Sequence, residues 1–259
     1  MPVTFIMLDG VRPDAIPTAN CPTLNSIRER GSSTMSARSV MPSITLPCHT
    51  SIFHSVPPTR HGITSNTDVP FARPLPGLVE IAKAGEKRAV FFYNWEQLRD
   101  LARPGNLYYS HFRNSAYDED GDDRSVARAS QFIQKERPDF LFLYIGTVDS
   151  AGHAYGWMSD KYLQQLERVD SLLVGFFDSL PSDYSAIVHS DHGGHDRNHG
   201  TESDEEMTIP WMAVGPEIKK GYTIQSQVSL LETAPTIAKL LGIQPHREWE
   251  GRCVDEIFQ

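Results

Sequence analysis

The chain has 259 residues, 39% hydrophobic and 22% charged, ordinary globular proportions that allow one large domain or two small ones. With 33 acidic against 24 basic residues the net charge is −9, which offers no basic field to a nucleic-acid polymer but admits a small phosphate compound wherever a bound divalent metal inverts the local charge. The three widely spaced cysteines suggest neither a disulfide framework nor a CxxC zinc site, no signal-like leader or transmembrane-length apolar stretch is evident, and a cytoplasmic location without membrane contact is the expectation.

The first element is a short apolar run, Val3 to Leu8, rich in strand formers and too short for a helix. It ends in Asp9-Gly10, which reads either as a turn or as a carboxylate held at the carboxyl edge of a sheet. Pro22 to Arg30 has helical spacing and stops at Gly31, and Ser33 to Val40 reads as a polar strand. Pro47 suits the first turn of a helix, so Thr45 lies at or just before a helix N-terminus. Its hydroxyl is there either an N-cap or a nucleophile activated by metal. Leu78 to Ala84 reads as a helix, Arg88 to Tyr93 as a strand, and Trp95 to Leu101 as a helix. His111 to Asp123 reads as a polar, acidic, solvated loop leading into a helix from Arg124 to Arg137.

Asp139 to Ile145 is the strongest strand, and its continuous apolar character predicts a central parallel strand covered on both faces. Asp149 and His153 follow it, one helical turn apart, and can face the same point. Asp160 to Asp178 has the stripe of a long amphipathic helix. Tyr184 to His189 is a further strand, leading into Asp191-His192-Gly193-Gly194-His195-Asp196-Arg197-Asn198-His199-Gly200. Thr208 to Val214 is another, whose Pro210 predicts an edge or a strand start. Val228 to Leu241 reads as two helical pieces kinked at Pro235.

Strands alternating with helices predict an α/β fold, a mostly parallel sheet with helices on both faces, whose ligands bind at the carboxyl ends of the strands. Three apolar runs end in Asp9, Asp149 and Asp191-His192. Their carboxylates and imidazoles are more ligands than one tetrahedral ion needs, and two ions about 4 Å apart would use them all. With Thr45 beside them, the reaction class is phosphoryl or sulfuryl ester displacement through a covalent threonine intermediate.

In these residues the chain resembles the alkaline phosphatase superfamily, and within it the type I phosphodiesterase/nucleotide pyrophosphatase family. The likeness rests on Asp9-Gly10, Pro42-Ser-Ile-Thr45-Leu-Pro47-Cys-His49, His61-Gly-Ile-Thr-Ser-Asn66, Asp149-Ser-Ala-Gly-His153, Asp191-His-Gly193, His199-Gly200 and Thr233 to Gly242, in the family's order. The resemblance implies a three-layer, alkaline-phosphatase-like sandwich over residues 1–259, a single catalytic domain without a large cap domain. It implies one metal ion held by Asp149, His153 and His199, and a second held by Asp9, Asp191 and His192 with Thr45 as nucleophile and ligand. Zinc is the expected metal on account of the imidazoles, with manganese admitted by the carboxylates. Asn66 falls where the family sets an asparagine against a non-bridging phosphate oxygen, which favours diesters.

Two departures stand out. Cys48 replaces the family's usual asparagine, and His199 follows Asp191 by eight residues where a long insertion is usual, so His195 is a rival for the same ligand position. The expected activity is that of a dinuclear metal-dependent phosphodiesterase or nucleotide pyrophosphatase acting on a small phosphate ester. A phosphonoacetate-type phosphonate hydrolase is the alternative enzyme and a non-catalytic metal-binding protein the alternative of another class. Thr45-Leu-Pro-Cys48 does not offer the modified cysteine or serine of a sulfatase.

Overall fold

Runs that are largely apolar without alternation must be covered on both faces, and three such runs, Val3–Leu8, Phe140–Ile145 and Ser185–His189, form the middle of the sheet. The computed structural model describes residues 1–71, 73 and 75–259. In chain order its elements are β1 (Val3–Leu8), α1 (Ala15–Thr18), α2 (Pro22–Arg30), β2 (Ser32–Arg38), α3 (Thr45–His54), α4 (Pro58–His61), α5 (Leu78–Ala84) and β3 (Ala89–Tyr93). There follow a 3-10 turn (Glu96–Leu101), β4 (Tyr109–Phe112), α6 (Asp123–Glu136), β5 (Phe140–Ile145), α7 (Thr147–Tyr155), α8 (Asp160–Ser179) and β6 (Ser185–His189). The chain continues through α9 (Asp204–Met207), β7 (Thr208–Val214), β8 (Tyr222–Thr223), a 3-10 turn (Leu230–Glu232), α10 (Thr233–Leu241) and a last 3-10 turn (Asp255–Ile257).

The eight strands form one sheet in the order β4-β3-β5-β1-β6-β7-β2-β8. β1 pairs in parallel with β5 on one side and β6 on the other, in a register that ends Leu8 level with Ile145 and Met7 level with His189. The other pairings are also parallel except those of β7, which runs antiparallel to both β6 and β2. The mostly parallel sheet expected from the alternating pattern is therefore present, with one reversed strand.

Period-two alternation divides the apolar side chains between two cores. Phe5, Phe53, Phe91, Phe142 and Ile237 lie between one face and α3, α5 and α10. Ile6, Leu24, Phe132, Val148, Leu166 and Phe176 lie between the other face and α1, α2, α6, α7 and α8. This arrangement makes three layers, and it hangs α3 and α7 from opposite faces above the same sheet edge. Among the described residues, no helix is long and apolar enough to cross a membrane.

Four local expectations need correction. Pro210 is on neither an edge nor a first position: β7 lies between β6 and β2, and the proline falls where β2 shifts register between Thr34 and Ala37, so its missing N–H breaks no ladder bond there. Pro235 is in the first turn of α10, where an N–H has no helical partner in any case, and the break comes earlier, between Glu232 and Thr233. Glu96–Leu101 is 3-10 rather than α. The stretch read as loop from His111 begins inside β4, whose half-buried alternation is carried by four residues and is too short to stand out.

Candidate metal centre

The carboxyl ends of β1, β5 and β6 lie side by side, so the residues that follow them meet at one edge. Asp9 follows β1 directly and is buried. Gly10 then turns with φ +71°, and a Cβ there would stand 2.9 Å from the Cα of Asp149. Only glycine permits this close approach of the β1 turn to α7. Its carbonyl accepts from Trp157 Nε1 at 2.8 Å and Tyr162 Oη at 2.9 Å, which fixes the turn against α8 and the end of α7. Asp149 lies in the first turn of α7 and His153 one turn on, and Asp191 and His192 follow β6.

Hydrogen bonds assign the tautomer of each imidazole. His192 Nδ1 is 2.8 Å from the Gly193 carbonyl, His153 Nδ1 2.9 Å from that of Arg197, and His199 Nδ1 2.7 Å from that of Ser43. A carbonyl can only accept, so each Nδ1 carries a proton, and in the neutral ring Nε2 then presents the lone pair. Those lone pairs point at other acceptors. His199 Nε2 is 3.1 Å from His153 Nε2 and 3.6 Å from Asp149 Oδ1. His153 Nε2 is 3.5 Å from Asp149 Oδ2. His192 Nε2 is 3.3 Å from Asp9 Oδ1 and 3.5 Å from Asp191 Oδ2.

The carboxylates are in the same condition. Asp9 Oδ1, Asp149 Oδ1 and Asp191 Oδ2 are buried without a hydrogen-bond partner among the described residues. Burial first, then repulsion from Asp191 and Asp149, raises the Asp9 pKa well above the usual range. Burial and then Asp191 do the same to Asp149, and burial raises Asp191. Burial also pushes His192 down to about 4 and His199 to about 3. Imidazole lone pairs and buried carboxylates crowded against one another are costly alone and are satisfied by divalent cations. The donor set thus fits metal. Asp149, His153 and His199 offer ligand atoms within 4.8 Å of one another, as do Asp9, Asp149 and His192. Asp149 belongs to both groups, and Asp191 joins the second from its 3.5 Å contact with His192.

Thr45 opens α3 on the opposite side of this cluster, with Oγ1 3.3 Å from His192 Nε2. Among the described residues His192 is the hydroxyl's one hydrogen-bond partner, and the N-cap position is Ile44. Asn66 is brought to the same helix N-terminus, where its Oδ1 accepts from Leu46 N at 3.0 Å. His195 is set apart. It is 43% exposed, and its Nδ1 lies 2.9 Å from Glu206 Oε1 rather than at the cluster. His61 is structural, with Nε2 on Ser51 Oγ and Nδ1 accepting from Ile63 N.

Residues that sequence reasoning passed over complete the shell. The Tyr144 hydroxyl donates to Asp9 Oδ2. Buried His49 has its Nδ1 2.8 Å from the Thr45 carbonyl and 3.5 Å from Asp191 Oδ2. Asp122 accepts from Gly146 N at 3.0 Å and Thr147 N at 3.1 Å, holding the start of α7 from the neighbouring α6. Tyr144 and Asp122 act on partners remote in sequence, whereas His49 lies one helical turn from Thr45 within the stretch quoted above.

Comparison with known proteins bears on the family and the fold. The family model for type I phosphodiesterase / nucleotide pyrophosphatase matches residues 3–211. The chain is 26% identical over 220 residues to human ectonucleotide pyrophosphatase/phosphodiesterase family member 1, covering 74% of this chain and 23% of that protein. It is 27% identical over 214 residues to an uncharacterized pyrophosphatase/phosphodiesterase of Schizosaccharomyces pombe, covering 74% of this chain and 44% of that one. It therefore spans less than half the length of these curated relatives. Among solved structures, murine ectonucleotide pyrophosphatase/phosphodiesterase 5, in an inactive threonine-to-alanine form in complex with AMP, superposes with a TM-score of 0.83 at 15% identity and full coverage of both chains. That likeness establishes the alkaline-phosphatase-like fold expected from the sequence. With the family model covering most of the chain, the protein belongs to the type I phosphodiesterase/nucleotide pyrophosphatase family.

Proposed function

We propose that residues 1–259 form a single catalytic domain that hydrolyses phosphodiester or pyrophosphate bonds of small nucleotide-like substrates through a phosphothreonine intermediate on Thr45. The observation that carries this reading is the Thr45 hydroxyl, 3.3 Å from His192 Nε2, at a helix N-terminus facing a cluster of buried carboxylates and imidazoles that fits metal. The names of the relatives and the AMP complex of the structural neighbour support the substrate class.

One ion would be held by Asp149, His153 and His199, and a second by Asp9, Thr45, Asp191 and His192; three imidazoles favour zinc, and manganese is the alternative. When bound, such ions supply Lewis acidity that neutralises charge on phosphoryl oxygens and lowers the cost of an alkoxide. The chain's own residues do the rest. Thr45 Oγ1 attacks phosphorus as the bond to the leaving oxygen breaks opposite it, and the positive end of the α3 dipole, with the Thr45 N–H left without a partner among the described residues, favours negative charge there. Asn66, whose carbonyl end is anchored on Leu46 N, turns its amide nitrogen to a non-bridging phosphate oxygen. Water then cleaves the phosphothreonine, releasing a phosphate monoester and restoring the hydroxyl. His153 is 42% exposed, so the edge is open on that side to a leaving group of some size.

Turnover of bis-p-nitrophenyl phosphate, thymidine monophosphate p-nitrophenyl ester and phosphonoacetate, each with zinc or manganese, tests the reading. The two diesters are expected to outpace phosphonoacetate. The reverse order makes the protein a phosphonate hydrolase, and no turnover of any contradicts an enzyme. The reading also places the chain in the cytoplasm, which its free Cys21, Cys48 and Cys253 support, and recovery of the chain outside that compartment contradicts it.

A further inference from the structure

We propose that Glu206 is a positioning residue that holds the His199 imidazole with its Nε2 lone pair towards Asp149 and His153. The argument begins with topology. β7 alone runs antiparallel, so its amino end returns to the edge where β1, β5 and β6 finish. The short helix α9 delivers Glu206 to that edge with its side chain wholly buried.

The carboxylate is surrounded by donors. Oε2 accepts from Ser43 Oγ at 2.8 Å, from Gly200 N at 2.7 Å and from Thr201 N. Oε1 accepts from Thr201 Oγ1 at 2.9 Å, with His195 Nδ1 also 2.9 Å away. These donors sit on two segments remote in sequence, the stretch before Thr45 and the loop after His199. The His199 ring spans the same two segments, because its own Nδ1–H donates to the Ser43 carbonyl at 2.7 Å. The backbone carbonyl of Glu206 accepts from Gly193 N at 2.7 Å, which ties in the segment carrying His192. Glu206 is therefore a common anchor for the loop carrying His199 and the carbonyl that fixes the ring's tautomer.

An ionised carboxylate suits this place because it only accepts, and the Gly200 and Thr201 N–H groups and the Ser43 and Thr201 hydroxyls facing it donate. Burial raises its pKa, but the Thr201, Ser43 and Gly200 donors outweigh burial and leave it below the ordinary range. Glutamine of the same length removes the charge and leaves a single neutral oxygen for the Ser43, Gly200 and Thr201 donors, which weakens the tie between the two segments. The consequence for metal binding rests on the proposed function; the consequence for the ring does not.

The test uses the whole chain, wild type and Glu206→Gln, labelled with 15N. In metal-free wild type the ring-nitrogen spectrum is expected to show His199 with its proton on Nδ1. In Glu206→Gln the ring is expected to divide between tautomers, and zinc competition against a chelator should show ten- to a hundredfold weaker binding at the His199 site. An unchanged His199 spectrum overturns the proposal, even where the variant's melting temperature falls, because that pattern belongs to a merely structural contact. If wild type takes up no zinc, the dinuclear reading fails and the spectrum still decides the role of Glu206. Should Glu206→Gln not fold, Thr201→Val removes a single hydroxyl donor and should shift the tautomers the same way to a lesser degree; no shift there also overturns the proposal.

Discussion

Tyr144→Phe removes one oxygen from the interior and should separate metal binding from folding. Tyr144 is buried near the end of β5, and its hydroxyl donates to Asp9 Oδ2. The cost of losing that bond depends on the charge of Asp9. Without metal, burial and then Asp191 and Asp149 raise the Asp9 pKa, so the carboxyl is readily neutral. A neutral hydrogen bond contributes about 0.5–1.5 kcal/mol. With metal, Asp9 is an anionic ligand and the same bond contributes about 1.5–3 kcal/mol. The difference, about 1–1.5 kcal/mol, falls on metal affinity and corresponds to roughly tenfold. Zinc competition titration together with melting curves in chelator and in excess zinc reads both quantities. The expected pattern is a slightly lower melting temperature in chelator and about tenfold weaker binding of one ion. Unchanged affinity with a large loss of stability in chelator would refute the reasoning, since the hydroxyl would then serve the fold and not the ligand.

Three further outcomes follow from the same geometry. His199→Ala should lose one of two ions by elemental analysis whereas His195→Ala keeps both; the opposite result exchanges the two histidines. Gly10→Ala meets the Asp149 backbone and a left-handed φ, which costs about 1–2 kcal/mol of backbone strain alone, so it should lower both melting temperature and metal uptake, and wild-type values for both contradict the close approach. Burial holds His189 at about 3 in the folded chain against 6.5 ordinarily, so the unfolded chain takes the proton first and stability falls as pH drops through 6.5. Between pH 7 and 5 this one group removes about 2 kcal/mol, and in chelator His189→Gln should lose that much less in urea unfolding; equal losses argue against a buried neutral imidazole.

The fold was legible where the chain follows a single rule. Val3–Leu8, Phe140–Ile145 and Ser185–His189 are largely apolar and buried at every position, and a short run of that kind becomes a central strand whatever its neighbours are. Because Asp9, Asp149 and Asp191-His192 follow these strands, their meeting at one edge could be read in advance. What escaped depends on partners distant in sequence. Tyr144 looked like one more apolar strand residue, since the reach of its hydroxyl to Asp9 is a property of register. Glu206 and Ser43 meet only because β7 reverses direction, and no local pattern announces a single antiparallel strand. Pro210 misled for the same reason, as the bulge that accommodates it lies on β2. Thr45 could not be assigned from its surroundings either, because a cap and a nucleophile ask for the same helix position; in the structure Ile44 holds the N-cap position and Thr45 is the first residue of α3.

Thr45→Ala tests the central claim most directly, with kcat, metal content and melting temperature measured together on the same preparations. A nucleophile makes its interaction in the transition state, so kcat should fall by several orders of magnitude while both ions and the melting temperature stay near wild type, and Thr45→Ser should retain part of the activity. A Thr45→Ala protein that keeps its metals and turns over diesters at a near-normal rate would contradict the account, leaving Thr45 as a helix residue and water as the direct attacking group.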